Sequence, residues 1–364
     1  MQEKAAGRSK ALFLAFVMAG VLGYVALLEG CSAGYLLHVG KGQLRIVCGC
    51  RSVEEVLRDP KVAGTEKEKI RLVLEAKAFG EKELGLTASK NYTVYYSVER
   101  PPVAHNLTAS PRFDLEAYEW CFPIAGCLPY KGFFTRDRAA READRMSKRG
   151  YDTYLRPVAA YSTLGWFKDP IFSTMLQYGD ADLVELILHE MVHRTIFVKD
   201  QGSFNEGVAT FVGEKAAEAF FRSRGRLGPE QAESMQRKRE AKRLFEETMF
   251  DLADRLRLLY GTEAPEAEKL EGRHRLFEEA KASLRSGLQG IGSNRYGGIL
   301  AEEWNNAFLV SCLTYHHDPG LWEALYLRFD RDLRALVDWV KGLEREREPM
   351  RRIEQWLEEG EETG

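Results

Sequence analysis

Apolar residues recur at three- and four-residue intervals from Val53 to Leu84, at Val56, Leu57, Ile70, Leu72, Val73 and Ala76 among many charges, which predicts helix punctuated by Gly80 and Gly85. Tyr92 to Val98 is rich in aromatic and β-branched residues and predicts a strand ended by Pro101 and Pro102. Trp120 to Phe134 is aromatic and Gly/Pro-rich, an ordered loop with short strands. A helix from Asp137 to Lys148 leads through Gly150 into a second strand, Tyr154 to Ser162. Two helices follow, Ala181 to Phe197 and Ser203 to Phe221, joined by a short polar connection with Asp200 and Gly202. Beyond Gly225 the text turns to charged helix: Gln231 to Tyr260 and Glu266 to Leu288 form a hairpin broken near Gly261 and Pro265. Leu300 to Glu359 is helical again, interrupted at Asp318-Pro319-Gly320. No internal repeat is present. This order predicts an α+β, mostly helical protein in which a small sheet packs on the central helices.

Composition narrows the function. With 364 residues and 45% hydrophobic content the chain can bury one large core or two modest ones. The formal charge is only -3, from 52 basic and 55 acidic side chains, which gives no electrostatic case for a nucleic-acid partner. The charge is uneven at the start, where Lys4, Arg8 and Lys10 precede an uncharged, largely apolar run from Ala11 to Leu28. That anatomy is an export signal or a membrane anchor, and the basic residues before the run place the remainder outside the cytoplasm. Leu28-Glu29-Gly30-Cys31 resembles a bacterial lipobox, with Glu29 where a small residue is usual. Two expectations follow: lipidation of Cys31, or retention of residues 11–28 as an anchor.

In an oxidising compartment Cys121 and Cys127, six apart around a Pro/Gly loop, are a candidate disulfide, and Cys48 with Cys50 are a second. Buried free thiols are the alternative for both. Asn91-Tyr92-Thr93 and Asn106-Leu107-Thr108 are glycosylation signals only in eukaryotic secretion.

The chemistry is concentrated in L-I-L-H-E-M-V-H-R, Leu186 to Arg194. On a helix, positions four apart share a face, so His189 and His193 can offer two imidazole nitrogens to one Zn2+ ion. Glu190, beside the first ligand, is placed to take a proton from a metal-activated water. A catalytic zinc needs a third protein ligand and an open position. The extended pattern H-E-x-x-H-x-x-G-x-x-H is absent, since Ile196 and Lys199 occupy its later glycine and histidine positions. Glu206, in F-N-E-G-V-A-T-F on the next helix, is the favoured ligand. The competing role for it is helix capping, because Ser203 and Glu206 form S-x-x-E. Glu214 is the reserve ligand, about 80° around an ideal helix from Glu206. Asn205 is a candidate to orient Glu206, or is a plain helix-start residue. An oxyanion donor is sought among His316, Tyr161 and Tyr315, and the strand through Tyr161 to Leu164 either binds a peptide as an added strand or simply packs.

Several blocks occur in one order: W-C-F-P-I-A-G-C-L-P-Y-K-G-F-F from Trp120, A-Y-S-T-L-G-W-F-K-D-P from Ala160, H-E-M-V-H, F-N-E-G-V-A-T, W-N-N-A from Trp304, and Tyr315-His316. Together they resemble the predicted aminopeptidase family found as lipoproteins in Gram-negative bacteria, from about Cys31 to about His316. The resemblance implies a gluzincin-like zinc metallopeptidase acting on peptide substrates, anchored in the cell envelope and facing the periplasm. The expected organisation is a signal peptide or anchor at 1–30, a zincin-like catalytic core at 31–225 with its small sheet on the active-site helix, a charged helical hairpin at 226–290, and C-terminal helices at 291–364 that complete the cleft. The G-x-M-E-N segment of one zinc aminopeptidase class is absent, so the aminopeptidase expectation comes from the resemblance. Two other functions fit the same residues: a non-catalytic metal-binding scaffold lipoprotein, and a zinc amidase acting on cell-wall peptides.

Overall fold

The computed structural model describes residues 32–99, 101–122, 126–158, 168–225, 228–313 and 319–361. The chain divides into two compact units at Cys50/Arg51. In the first, the described residues form one helix, α1 (Ser32–Gly49), which the apolar periodicity did not predict, and it exposes Leu37, Leu44 and Val47. Cys48 and Cys50 are free thiols, which corrects the expectation of a bond between them. Cys48 sits in the last turn of α1 with Cys50 just past its end, and side chains two apart on a helix point to different sides.

The second unit is α+β and mostly helical. After β1 (Arg51–Ser52) the predicted helix from Val53 is two helices, α2 (Val53–Arg58) and α3 (Gly64–Glu83). Asp59-Pro60 divides them, because proline lacks the amide hydrogen and pushes the residue before it toward extended backbone. Ser52 caps α2, its hydroxyl accepting from the Glu55 N–H at 3.2 Å. The strand expected over Tyr92 to Val98 is shorter, β2 (Val94–Tyr96), because Tyr92 has left-handed backbone, φ 62°.

Three strands form the larger sheet: β3 (Ala104–Pro111), β6 (Lys131–Phe133) and β7 (Tyr151–Val158), with β3 central and both pairings antiparallel. Between β3 and β6, β4 (Trp120–Phe122) and β5 (Gly126–Leu128) make a hairpin closed by the Cys121–Cys127 disulfide. Helix α4 (Arg136–Lys148) precedes β7 and packs on β3 and β7. A smaller sheet joins β1 antiparallel to β2 and β2 parallel to β8 (Ile171–Phe172).

Helices α5 (Asp180–Thr195) and α6 (Gly202–Ser223) lie side by side, and α3 packs on α5. A Cβ at Gly80 of α3 would meet Leu188 and Met191 of α5 at 3.0 Å, so glycine permits this approach. The charged text is a true hairpin, α7 (Pro229–Tyr260) and α8 (Glu266–Ile291). It is not charged throughout. Phe245, Met249, Leu252 and Leu256 meet Phe277, Leu284 and Leu288 in a core that also takes in Trp304 and Phe308. The last segment is α9 (Gly297–Ala301), α10 (Asn306–Leu313), α11 (Pro319–Arg328), α12 (Leu333–Lys341) and α13 (Pro349–Glu361). Trp322 of α11 packs against Phe204 and Phe211 of α6, at ring separations of 5.8 and 6.4 Å.

Asn306 fastens the hairpin and α10 to the larger sheet. Its buried Nδ2 donates toward the carbonyls of Pro111, Arg112 and Asp114 at 2.9, 3.1 and 3.0 Å, and its Oδ1 accepts from the Tyr260 hydroxyl at 2.8 Å. Its own N–H donates to Asp152 Oδ2 at 3.1 Å, the carboxylate that Arg273 of α8 also holds. Replacing Asn306 by Ala leaves several buried groups without a partner, each costing about 1–3 kcal/mol. Asn306→Ala is expected to lower unfolding stability by about 3 kcal/mol, and an unchanged urea midpoint would show that the joint carries no load.

Candidate metal centre

Helix α5 begins after Gly179 with Asp180 and Asp182 in its first turn, where acidic side chains favour the helix dipole. Leu183, Val184, Ile187, Leu188, Met191 and Val192 are its buried face. His189 and His193 are partly exposed, one turn apart. Thr195 ends the helix with its hydroxyl donating to the Met191 carbonyl at 2.7 Å.

The chain then reverses through Asp200, whose φ is 60°. Asn205 holds this turn: its Oδ1 accepts from Val198 N–H at 2.8 Å and its Nδ2 donates to the Val198 carbonyl at 2.7 Å. That corrects the expectation that Asn205 orients Glu206. Asn205 shapes the connection that returns α6 alongside α5. The capping box is not formed either. Helix α6 starts at Gly202 with no side-chain cap at Gln201, and Ser203 already lies inside it, exposed.

Glu206 turns to the histidines instead. Its Oε1 is 3.4 Å from His193 Nε2 and its Oε2 is 3.6 Å from His189 Nε2, while the two Nε2 atoms are 3.0 Å apart. Donor atoms about 2.0–2.2 Å from one ion at tetrahedral angles lie about 3.4 Å from each other; each carboxylate oxygen here faces a different imidazole, and one donor atom from each of the three residues lies within 4.8 Å of the others. A group of His189, His193 and Glu206 that could hold a metal ion is therefore present. Glu214 is not part of it and pairs with Lys242 of α7.

The electrostatics favour a cation. Burial works against the Glu206 charge, but hydrogen bonds from His189 and His193 outweigh it and hold the carboxyl far below its ordinary range. Burial likewise opposes the charged form of His189, yet the bond to Glu206 and the charges of Glu190, Glu206 and Glu185 raise its pKa. Glu190 is pushed up by burial, pulled down by the two histidines, and pushed up again by Glu206 and Asp169.

Two features escaped the sequence reading. At Gly213, two turns beyond Glu206, an added Cβ would lie 3.2 Å from His189 Cβ and 3.3 Å from both His189 Cα and the Glu185 carbonyl oxygen. The helix carrying the carboxylate thus touches the helix carrying the histidines at the first ligand itself. The other is Tyr92, 4% exposed, whose phenol feels the charges of Glu190 and Asp169. Its left-handed backbone costs a bulky residue about 1–2 kcal/mol. Asn91-Tyr92-Thr93 was legible only as a glycosylation signal, and Asn91 is in fact buried and bonded to Asp169. Tyr161, Tyr315, His316 and Cys31 lie outside the described residues.

Fold and site thus define an α+β protein with a three-donor group on adjacent helices that could hold a metal ion. The chain belongs to the Aminopep family, described as "Putative aminopeptidase", whose model matches residues 34–355. No curated protein and no solved structure matches it. The family description points to peptidase activity.

The Gly213 contact has a measurable consequence. Overfilling a tight contact costs about 1–3 kcal/mol. Gly213→Ala is expected to lower stability by that amount and to weaken zinc affinity about tenfold by calorimetric titration. Gly202→Ala, where a Cβ meets nothing within 4 Å, should match wild type in both.

Proposed function

We propose that this chain is a zinc-dependent aminopeptidase that hydrolyses peptides outside the cytoplasm, held to the cell envelope by its N-terminal segment. The observation that carries the reading is the convergence of His189 Nε2, His193 Nε2 and the Glu206 carboxylate within 4.8 Å of one another, with Glu190 on the same helix turn as His189. Membership of an aminopeptidase family supplies the substrate class. Support for the envelope comes from Lys4, Arg8 and Lys10 ahead of the apolar run 11–28 and from Cys31 in its lipobox-like setting. Those residues lie outside the described ones, among which no helix is long and apolar enough to cross a membrane.

His189, His193 and Glu206 would hold the ion. When bound, zinc supplies Lewis acidity toward a carbonyl oxygen and toward water. Glu190 moves the proton: one carboxylate oxygen takes it from the attacking water and returns it to the departing amine nitrogen. Burial raises the affinity of Glu190 for that proton, the direction that favours a general base. As a ligand to the ion, Glu206 would stay ionised throughout.

The test is paired. Glu190→Gln is expected to keep its zinc and lose at least about 100-fold in kcat, whereas Glu206→Ala loses zinc affinity, both read by metal analysis beside peptide hydrolysis. Full turnover in Glu190→Gln would sink the mechanism. A chelator should abolish wild-type hydrolysis and added zinc should restore it.

A further inference from the structure

Helix α1 turns an apolar stripe outward. Leu37 and Leu44, two turns apart, lie within about 20° of each other around an ideal helix, and Val47 is about 60° further on. These three are 75%, 63% and 44% exposed, whereas Ile46, about 180° from Leu37, is 5% exposed. Nine large hydrophobic residues are exposed among the described residues, and three of the nine fall in this one 18-residue helix. The exposure therefore belongs to a face of the helix, unlike the single apolar residues scattered over any protein surface.

Charge and composition set the same segment apart. No acidic residue occurs between Glu29 and Glu54, while Lys41, Arg45 and Arg51 do, so this stretch carries +3 and the other residues together -6 (-3 minus +3). Lys41 and Arg45, both exposed, follow one flank of the stripe, about 40° and 80° from Leu37. Their stems can lie along an apolar surface while the charges stay in water. Gly34, Gly40 and Gly42 stand inside the helix, where glycine is a weak helix former. A Cβ added at Gly34 or Gly40 would meet nothing within 4 Å, so no close packing calls for them. A helix of this composition gains support when an interface takes up its apolar face. Only Glu29, Gly30 and Cys31 separate the apolar run 11–28 from Ser32, so α1 begins within about 14 Å of the end of that run.

We propose that α1 is a membrane-surface helix that lies along an anionic bilayer, with Leu37, Leu44 and Val47 in the boundary between headgroups and acyl chains and Lys41 and Arg45 at the phosphates. The partner is a lipid surface. This deepens the envelope reading given above and rests on it: the segment ahead of Ser32 attaches the chain, and α1 adds a second, reversible contact beside the attachment. A single acyl chain holds a protein to a membrane only marginally, and stable anchoring takes a second signal of this kind.

Photocrosslinking in the full chain tests it. Leu44→benzoylphenylalanine, irradiated on vesicles of phosphatidylethanolamine and phosphatidylglycerol, is expected to give phospholipid adducts by mass spectrometry. Tyr35→benzoylphenylalanine should give far fewer, because Tyr35 lies about 160° around the helix from Leu37, although it is nearer the apolar run. Equal lipid adducts at Tyr35 and Leu44 would report mere nearness to the attachment and overturn the proposal, as would adducts at Leu44 to a second copy or to the chain itself. Replacing phosphatidylglycerol by phosphatidylcholine should lower the Leu44 yield by about fivefold or more, since each basic side chain near an anionic surface contributes about 1 kcal/mol; an unchanged yield overturns the assignment to an anionic surface. Should the Leu44 variant misfold, Leu37→benzoylphenylalanine decides by the same outcomes. A chain that does not float with the vesicles sinks the envelope reading and the surface helix together. One that floats but forms no lipid adduct on α1 overturns the surface helix alone.

Discussion

Two helices can offer ligands to a single ion only if their backbones run close enough for short side chains to meet. Here that distance is set where Gly213 of α6 crosses His189 of α5 with no room for a methyl group. The turn between the helices is held with Asp200 in left-handed backbone and both polar groups of the Asn205 amide bonded to Val198. Pinned at the turn and again at Gly213, α6 brings Glu206 to the two imidazoles. Trp322, against Phe204 and Phe211, and α3, reaching α5 at Gly80, hold the pair from other sides.

Bringing His189, Glu190, His193 and Glu206 together gathers negative charge in a partly buried place. Cations outside the ligand set offset part of it. Lys238 of α7 pairs with Asp182 and Glu185 of α5, Lys242 and Arg239 pair with Glu214 and Glu218 of α6, and Arg295 joins Asp182 at 3.1 Å. The charged hairpin therefore has two faces with different work: an apolar one that shares a core with Trp304 and Phe308, and a basic stripe that neutralises the outer acids of α5 and α6. Exposed ion pairs contribute little singly, and their number here matters more for where α7 docks than for stability.

What could be read in the sequence were the features whose cause is local. The helices α5 and α6, the hairpin and the four-residue spacing of the histidines follow from periodicity, and Glu206 from its place one short turn downstream. Strand β3 was missed although it is central to its sheet, because Ala104 to Pro111 has Leu107 as its one large aliphatic residue, and its buried Thr108, Ala109 and Ser110 gain their place from β6, β7 and α10. The roles of Gly213 and Asn306 were invisible for a related reason. Each is defined by a partner distant along the chain, and a glycine or an asparagine looks the same whether it touches solvent or a helix backbone.

The three donors and the joint at Asp169 differ in how much chain they require. From His189 to Glu206 is 17 positions (206 minus 189), so an ion held by that group would close a short loop whose entropic cost is small. The Asn91 side chain bonds Asp169 across 78 positions, just ahead of the paired strands β2 and β8. One arrangement therefore needs only a tight turn between neighbouring helices, whereas the other needs a long-range strand pairing, which is the slower kind of contact for a chain to find.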